Sequence, residues 1–226
     1  MTTAFRLLIK TLTLRTPPRA LAYGLMNKVH YLRRTGNRRY EFERLYLDKP
    51  DPWDYASSEY EHEKYDRALA CLLKWRRASD SALEIGCSIG VFTKMLAHRF
   101  GQVVAIDVSK EALAAAKERN RHEQNINFVH ANLLRLNLGM RFNVISCAEV
   151  LYYIREKDAE AACMTLDQHL ADDGIVVFVS GSSLSTDLFY FDGWEEILSS
   201  RYHKLFREVV ETAVRPYRIA VFSRKA

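Results

Sequence analysis

Short apolar runs alternate with amphipathic segments along most of the chain. The apolar runs are rich in Val, Ile, Leu and Phe, which is typical of buried β-strands. In the segments between them, apolar residues recur every three or four positions, which is the spacing of a helix that buries one face. Strands are predicted at SALEIG (81–86), QVVAID (102–107), INFVHA (126–131), FNVISCAE (142–149), GIVVFVSG (174–181), KLFREVVET (204–212) and RIAVFSRK (218–225).

The helices predicted around these strands begin at recognisable capping residues. Ser58 and Glu61 form an S-x-x-E capping box, in which the serine and glutamate side chains each accept from the other residue's backbone N–H. The helix behind this box runs to about Lys74, and Ser109 caps a later helix. Helices are predicted at 58–74, 91–100, 109–120, 156–170 and 193–200.

The order of these elements predicts the fold class. Repeated alternation of strand and helix gives a parallel sheet with helices on both faces, because the crossover between parallel strands is right-handed. The last two predicted strands have no helix between them, so they form an antiparallel pair. We therefore expect an α/β fold with a doubly wound, mostly parallel seven-stranded sheet and an antiparallel C-terminal edge hairpin. Ligands of such sheets bind at the carboxyl ends of the strands, where the strand order reverses.

Positive charge is concentrated at the N-terminus. The formal net charge is +5, but residues 1–40 hold nine Lys and Arg and no acid, so the other 186 residues carry a net charge of −4. We interpret residues 1–43 as a basic N-terminal extension and 44–226 as one domain. Three roles of the extension stay open: weak contact with an anionic membrane surface, a targeting peptide, or helices packed on the domain. Nucleic acid is not expected as a partner, because few aromatic residues are interleaved with the basic ones.

The cysteines and histidines indicate neither a metal site nor a disulfide framework. Cys71, Cys87, Cys147 and Cys163 are widely spaced without a C-x-x-C motif, and the histidines form no metal-like pair. No metal is expected, and the scattered cysteines favour the reducing cytoplasm. No run approaches the roughly 18 apolar residues that a membrane span needs. The sequence does not indicate the oligomeric state.

A glycine-containing loop follows the first predicted strand, in the stretch ALEIGCSIGVF (82–92). Gly86 and Gly90 would let backbone N–H groups approach a ligand closely at the start of a helix. A tight turn without a ligand would use the same glycines. Asp107 favours a ligand, because it ends the second strand 17 residues after Gly90, close to the spacing at which an acid binds ribose hydroxyls. Together these features indicate an adenosine-type ligand.

Two side chains of this loop narrow the choice of ligand. Ser88 stands where a dinucleotide site has its middle glycine, so its side chain would crowd a pyrophosphate. Glu84 would repel a phosphate and suits a cation such as an α-ammonium group. A nucleoside that carries an amino acid and no pyrophosphate satisfies both conditions. S-adenosyl-L-methionine is therefore the predicted cofactor, and a nicotinamide-dependent dehydrogenase is disfavoured.

Longer blocks of the sequence resemble a known family. LEIGCSIG with Asp107 downstream, followed by FNVISCAEVLYY, resembles the class I S-adenosylmethionine-dependent methyltransferases. DPWDYASSEYEHEKYDRAL, ALEIGCSIGVFTKMLA, AEVLYYI and YRIAVFSRKA are similar to the nodulation-protein-S type of N-methyltransferase, within residues 44–226. The resemblance implies a Rossmann-like methyltransferase fold. It also implies methylation of a free amine, on a deacetylated glucosamine residue of a chitooligosaccharide or on another amino sugar or small amine.

The family pattern further implies roles for individual residues. The first loop would hold the methionine part of the cofactor, Asp107 both ribose hydroxyls, and Val108 one face of the adenine. Asn132, with Leu133 behind it, would accept a hydrogen bond from the adenine amino group. The family usually has aspartate there, so we expect retained but weaker binding. The residues implied in cofactor binding are Trp53, Glu84, Gly86, Ser88, Gly90, Asp107, Val108, Asn132, Leu133 and Ala148.

The acceptor is expected beside the carboxyl end of the fourth strand. Methyl transfer is an in-line displacement, so the protein has mainly to align the acceptor and exclude water. Glu149 is predicted to hydrogen-bond an incoming ammonium group and to take its proton, although a cofactor-side or helix-capping role stays open. One of Tyr152 and Tyr153 is predicted to line the acceptor pocket, where a π face stabilises positive charge, although each would equally suit a packing role. Trp53 lies in a segment that often forms a lid in this class, but it would equally suit a plain turn with a buried tryptophan.

Other functions on the same fold stay open. The acceptor could be a small-molecule oxygen, a protein side chain or a nucleic-acid base. A base methylase would show [DNS]PP[YFW] after the fourth strand, where this chain reads AEVL (148–151), so this alternative is disfavoured. A non-catalytic cofactor-binding module is a further alternative. It is suggested by Asn132 and by ADDG (171–174), which stands where the family has a Pro-Gly-Gly turn.

Overall fold

The computed structural model describes residues 38–181 and 191–225. The three interpretations of the N-terminal extension fall mostly on residues 1–37, outside the described residues. The α-helices are α1 (Arg38–Asp48), α2 (Glu59–Leu72), α3 (Val91–Ala97), α4 (Lys110–Arg119), α5 (Ala159–His169) and α6 (Trp194–Arg201). The strands are β1 (Ser81–Ile85), β2 (Gln102–Asp107), β3 (Ile126–His130), β4 (Phe142–Ala148), β5 (Leu170–Gly181), β6 (His203–Val210) and β7 (Tyr217–Ser223). The predicted boundary between residues 43 and 44 falls inside α1, and the division into extension and domain stays a prediction.

In the described part of the chain the strands form one seven-stranded sheet, in the order β3-β2-β1-β4-β5-β7-β6. The first five strands pair in parallel, and β7 runs antiparallel to both β5 and β6. The α/β fold class, with its C-terminal edge hairpin, is therefore confirmed. The strand order reverses between β1 and β4, which is where a ligand of a doubly wound sheet binds.

The strand register brings the candidate residues to that position. Ile85 of β1 pairs with Ile106 of β2, so the first loop and Asp107 follow at the same level of the sheet. Glu84 pairs with Ser146 of β4, three residues before Glu149. The carboxyl ends of β1, β2 and β4 therefore carry the loop and both candidate acids side by side.

Both faces of the sheet are apolar, which explains why the central strands read as nearly continuous apolar runs. Leu83 and Ile145 are fully buried on the face covered by α5 and α6. Val103 and Val144 are fully buried on the other face, against α2 and α3. Burial of one such side chain contributes about 1.5–3 kcal/mol, so the strand ends rest on a rigid core.

Three element boundaries differ by three or more residues from the sequence-based prediction. α3 ends at Ala97 and leaves residues 98–100 outside the helix, and the helix predicted from residue 156 begins as α5 at Ala159, after a short 3₁₀ turn. β5 begins at Leu170, four residues earlier than predicted. Leu170 pairs with Phe142 and Ile175 with Val144, so ADDG (171–174) bulges out within the strand opposite a single residue.

Of the capping box predicted at the start of α2, the serine cap is confirmed and the role of the glutamate side chain differs. The Ser58 hydroxyl accepts a hydrogen bond from the Glu61 backbone N–H at 3.3 Å, as a serine N-cap should. The Glu61 carboxylate forms ion pairs with Lys64 and Arg215, so its side chain faces the interior. None of the described helices is long and apolar enough to cross a membrane.

Candidate active site

The loop after β1 has the backbone conformation that glycine favours at two of its positions. Gly86 and Gly90 have φ values of +74° and +76°. A Cβ on Gly86 would lie 2.6 Å from Val150 Cγ2, and one on Gly90 would lie 2.5 Å from Asn120 Nδ2. Both positions therefore exclude a side chain by conformation and by space.

Ser88, between these glycines, has the same left-handed backbone although it carries a side chain, with φ +50°. The Tyr46 hydroxyl donates to Ser88 Oγ at 2.5 Å, and Ser88 N–H donates to Asp107 Oδ2 at 2.9 Å. A non-glycine residue in this conformation costs about 1–3 kcal/mol and persists where its surroundings fix it. The loop thus keeps the shape of a glycine-rich loop, and the hydroxyl group of its serine is bound by Tyr46.

Asp107 lies at the end of β2 and is held by backbone amides on both sides. Its Oδ1 accepts from Ser109 N–H at 2.9 Å, and its Oδ2 accepts from Ser88 N–H. Burial raises the pKa of Asp107 above its ordinary value, although these two hydrogen bonds oppose the shift. Each carboxylate oxygen keeps a further lone pair, so the side chain can still accept from two hydroxyl groups.

Glu84 is buried beside the loop and is only 4% exposed. Thr93 Oγ1 donates to its Oε2 at 2.5 Å. Burial, reinforced by the nearby charge of Asp107, raises the pKa of Glu84 from 4.5 to about 8. Among the described residues, no Lys, Arg or His forms an ion pair with Glu84. The site therefore contains a buried carboxyl group without a positive partner in the part of the chain that the structure describes.

Helix α1 contacts both loops of this site, and these contacts were not predicted from the sequence. Besides the Tyr46 hydrogen bond to Ser88, Glu43 Oε2 accepts from Ser109 Oγ at 2.6 Å and from Lys110 N–H at 2.8 Å. The acidic Glu43 thus sits at the amino end of α4, where the helix dipole favours negative charge. The charged and aromatic positions of α1 show no pattern that would have indicated these contacts.

Aromatic rings connect α1 to the predicted acceptor side. Phe42 lies edge-on to Tyr153, with 4.9 Å between ring centroids, and Tyr152 and Tyr153 are 4.5 Å apart. Trp53 is half-buried, 6.3 Å from Phe42 and 5.7 Å from Tyr46. Trp53, Tyr152 and Tyr153 therefore belong to one aromatic cluster, which extends onto α1.

The predicted adenine-side residues follow β2 and β3. Val108 is half-buried, and its carbonyl oxygen lies 3.0 Å from His130 Nε2. Asn132 is exposed, and its Oδ1 accepts from Leu134 N–H at 2.9 Å as the cap of a 3₁₀ turn. Leu133 is buried in the core, whereas Ala148 at the end of β4 is half-buried. An adenine amino group would therefore share the Asn132 oxygen with a structural hydrogen bond.

Glu149 also has a left-handed backbone, with φ +53°, and its side chain is held at both oxygens. Oε1 accepts from Lys64 Nζ at 2.7 Å and from Gly181 N–H at 2.9 Å, while Oε2 accepts from the Tyr152 hydroxyl at 2.9 Å. Burial raises the pKa of Glu149, but the charges of Lys64 and Arg215 outweigh it and lower the pKa below its ordinary value. This carboxylate is therefore ionised at neutral pH.

Lys64 is fully buried and lies between two carboxylates. Its Nζ is 2.6 Å from Glu61 Oε2 in addition to its contact with Glu149, and Arg215 Nη2 lies 3.5 Å from Glu61 Oε1. No local sequence pattern indicated Lys64, Glu61 or Arg215 as members of the site. The sequence did offer one indication that Lys64 is buried, because it directly precedes Tyr65, which lies on the predicted buried face of α2.

Comparison with known proteins identifies the family. The model of the nodulation protein S (NodS) family matches residues 36–199, about three quarters of the chain. The chain belongs to the nodulation protein S family. The match begins before the predicted domain boundary at residue 44 and ends before β6. The resemblance inferred from the short sequence blocks is thus confirmed.

Two curated relatives in this family are nodulation protein S of Azorhizobium caulinodans and of Bradyrhizobium diazoefficiens. The first is 33% identical over 135 residues, covering 59% of this chain and 64% of the relative. The second is 35% identical over 133 residues, covering 58% of this chain and 62% of the relative. The chain therefore spans less than two thirds of the length of the curated relatives that it matches.

A solved structure supports the same assignment. The N-methyltransferase NodS from Bradyrhizobium japonicum WM9, in complex with S-adenosyl-L-homocysteine, aligns with a TM-score of 0.74 at 25% identity. The alignment covers 83% of this NodS-family chain and 99% of the solved one. The family's methyltransferase fold is therefore present over most of the chain.

Among residues 38–181 and 191–225, no group of three or more His, Cys, Asp or Glu side chains could hold a metal ion. All four cysteines of the NodS-family chain are buried and free. The residues that the fold does bring together at the carboxyl ends of β1, β2 and β4 are two groups. One surrounds Glu84 and Asp107, and the other surrounds Glu149.

Proposed function

We propose that this chain binds S-adenosyl-L-methionine and transfers its methyl group to the amine of an amino sugar or a similar small molecule. The observation that carries the proposal is the buried Glu84, without a positive partner among the described residues, beside a glycine loop and Asp107. A buried carboxyl group of this kind suits a ligand that brings its own cation. The solved NodS complex with S-adenosyl-L-homocysteine supports the choice of ligand.

Each side of the proposed cofactor site meets one part of that ligand. Glu84 would bind the α-ammonium group, and the loop around Gly86 and Gly90 would let the amino acid part of the cofactor approach the backbone closely. Asp107 would accept from both ribose hydroxyls through its remaining lone pairs. The bound cofactor supplies a sulfonium-activated methyl group, and the protein's task is to align the acceptor with it.

Glu149 supports an amine as the acceptor. It is ionised, 7% exposed, and its Oε2 meets the Tyr152 hydroxyl near the end of β4. A carboxylate in this place would bind an ammonium group, take one of its protons and leave a lone pair on nitrogen. The aromatic cluster of Tyr152 and Tyr153 would stabilise the positive charge that passes from sulfur to nitrogen.

Calorimetric titration with S-adenosyl-L-homocysteine tests the cofactor part of the proposal, with NAD as the comparison ligand. We expect micromolar-range binding of the first ligand and none of the second. Asp107→Ala should lose at least about 2 kcal/mol of binding free energy, the value of hydrogen bonds to a charged group, or roughly 30-fold in Kd. Asp172→Ala, which alters an exposed carboxylate, is the control. An unaffected Asp107→Ala variant, or a wild type that does not bind, would refute this assignment.

The acceptor is tested by measuring formation of S-adenosyl-L-homocysteine with three classes of compound. These are deacetylated chitooligosaccharides, free amino sugars and their fully acetylated or hydroxyl-only counterparts. We expect turnover only where a free amine is present. Turnover of the hydroxyl compounds would show an O-methyltransferase, and cofactor binding without turnover of any of them would favour a non-catalytic module.

We place this activity in the cytoplasm, because all four cysteines are buried and free, as in proteins of reducing compartments. The expected partners are the small-molecule or glycan amine and no nucleic acid. A weak membrane contact of residues 1–43 remains part of the hypothesis for the extension.

A further inference from the structure

We infer that Lys64 is a positioning residue of the proposed methyltransferase. From inside the core it holds the Glu149 carboxylate so that Oε2 is the oxygen presented to the acceptor. The catalytic role of this contact rests on the proposed function. The contact between Lys64 and Glu149, and the main test of it, do not depend on the identity of the acceptor.

The two oxygens of Glu149 have different partners. Oε1 accepts from Lys64 Nζ at 2.7 Å and from Gly181 N–H at 2.9 Å, so both of its lone pairs are used by the protein. Among the described residues, Oε2 accepts only from the Tyr152 hydroxyl, at 2.9 Å. One lone pair of Oε2 is therefore left for an incoming N–H group.

Lys64 cannot take the place of a substrate group, because its side chain is fully buried. It lies on α2, 85 residues before Glu149 in the chain, and it contacts the carboxylate from the side of the protein interior. Its ammonium group thus binds Oε1 of Glu149 without using the remaining lone pair of Oε2. This arrangement distinguishes a positioning residue from a binding residue.

Four charges form a chain that ends at Glu149. Arg215 pairs with Glu61 at 3.5 Å, Glu61 with Lys64 at 2.6 Å, and Lys64 with Glu149 at 2.7 Å. The formal charges of the four groups cancel. A buried ion pair is retained only when its charges are compensated in this way, and removal of one member leaves an uncompensated charge.

Within residues 38–181 and 191–225, the other titratable groups that face the cluster are tyrosines. Lys64 Nζ lies 4.9 Å from the Tyr60 ring centroid, and the guanidinium of Arg215 lies 5.6 Å from the same centroid. The charge of Glu149 contributes to raising the pKa values of Tyr60 and Tyr65, which are raised first of all by burial. The phenols of Tyr60 and Tyr65 are therefore neutral near pH 7, and the charge state of Glu149 is set by the four-charge chain.

The pKa values of the pair agree with this geometry. Burial alone would favour the neutral forms, but each partner's charge outweighs it, so the pKa of Lys64 is raised and that of Glu149 is lowered. Without Lys64, Glu149 would be a buried carboxyl group with only the more distant Arg215 for compensation. Burial would then raise its pKa, and it would receive a proton from the acceptor nitrogen less readily.

The test is a ¹³C NMR titration of the glutamate side-chain carboxyl groups, with the Glu149 resonance assigned by its loss in Glu149→Gln. In the wild type we expect Glu149 to stay ionised down to about pH 5 or below. In Lys64→Met we expect its midpoint to rise by at least about two pH units, a 100-fold change in proton affinity. Lys64→Arg, which keeps the charge, should restore most of the wild-type behaviour, and Lys117→Met, at an exposed lysine of α4, is the matched control.

A second variant makes the inference testable if Lys64→Met does not fold. Glu61→Gln keeps Lys64 and removes its other carboxylate, so the midpoint of Glu149 should fall or stay equal and must not rise. A Glu149 midpoint that is unchanged in folded Lys64→Met, or raised in Glu61→Gln, would overturn the inference.

The kinetic readout separates positioning from general damage to the fold. Lys64→Met should lower kcat and move the acid limb of the pH profile of kcat upward, with affinity for S-adenosyl-L-homocysteine kept within about twofold. If Lys64 had a purely structural role, Lys64→Met would lower kcat without moving the acid limb of its pH profile. A wild type that binds no S-adenosyl-L-homocysteine would remove the proposed function, while the NMR result would still decide whether Lys64 controls Glu149.

Discussion

Replacement of Glu84 by glutamine should make the protein more stable as the pH rises, relative to the wild type. The carboxyl group is 4% exposed and its pKa is raised from 4.5 to about 8, chiefly by burial. The folded protein therefore keeps a proton on Glu84 over a pH range in which the unfolded chain has released it. Glutamine keeps an oxygen that can accept from Thr93 Oγ1 and carries no charge at any pH.

The size of the effect follows from linkage between protonation and folding. Because the folded pKa is the higher one, stability of the wild type falls as the pH rises through the interval from 4.5 to about 8. Each pKa unit corresponds to about 1.36 kcal/mol, so the wild type should lose roughly 3 to 4 kcal/mol between about pH 5 and pH 8 through this group alone. This is a large part of the 5–15 kcal/mol that is typical for a whole domain.

Urea unfolding at a series of pH values between about 5 and 8 measures the effect. Other groups also titrate in this range, but their contributions cancel in the difference between Glu84→Gln and the wild type, provided that the two denatured states are alike. We expect this difference in unfolding free energy to grow in favour of the variant as the pH rises. Glu118→Gln, at a side chain that is 76% exposed, should show no such trend. Parallel pH profiles for Glu84→Gln and the wild type would refute the reasoning.

Two further substitutions test the loop and the adenine side. Gly90→Ala should lower the unfolding free energy by at least about 2 kcal/mol, and by more than Gly139→Ala. Both glycines have a positive φ, but a Cβ on Gly90 would lie 2.5 Å from Asn120 Nδ2, whereas one on Gly139 would meet nothing within 4 Å. Equal losses for the two variants in thermal or urea unfolding would contradict this. Asn132→Asp should strengthen binding of S-adenosyl-L-homocysteine by up to about tenfold in calorimetry, because a charged acceptor forms stronger hydrogen bonds. Unchanged or weaker binding would show that the Leu134 cap uses the oxygen completely.

Most of the fold could be predicted from the sequence, because the patterns that indicate strands and helix caps are local. The apolar runs and the serine caps at Ser58 and Ser109 are visible within a few residues, and the structure confirms them. The bulge at 171–174 was missed, because it depends on how β5 pairs with Phe142 and Val144 rather than on its own composition. The helix α1 was missed since its contacts reach loops that are more than forty residues away in the chain.

The cofactor side of the candidate site could be predicted because its residues are also close together in sequence. The acceptor side could not, because its residues are far apart in the chain. Glu84, Gly86, Ser88 and Gly90 are neighbours in sequence, so their spacing already indicates a loop. The residues around Glu149 come together from α2, the end of β5 and the β6–β7 connection, and only the folded chain makes them neighbours. Glu61 even satisfies a local capping pattern, but Lys64 and Arg215 bind its side chain instead.

The two glutamates at the ends of β1 and β4 show how one residue type acquires two charge states. Both are buried, so desolvation raises the pKa of each, and their strands are neighbours in the sheet. Glu84 has a threonine hydroxyl as its partner and remains largely protonated near neutral pH, whereas Glu149 has Lys64 and remains ionised. Environments that move two pKa values apart are typical of sites with divided roles. Under the proposed function, Glu84 would gain its charge only when the ammonium group of the cofactor arrives, whereas Glu149 would be charged beforehand and ready for the acceptor.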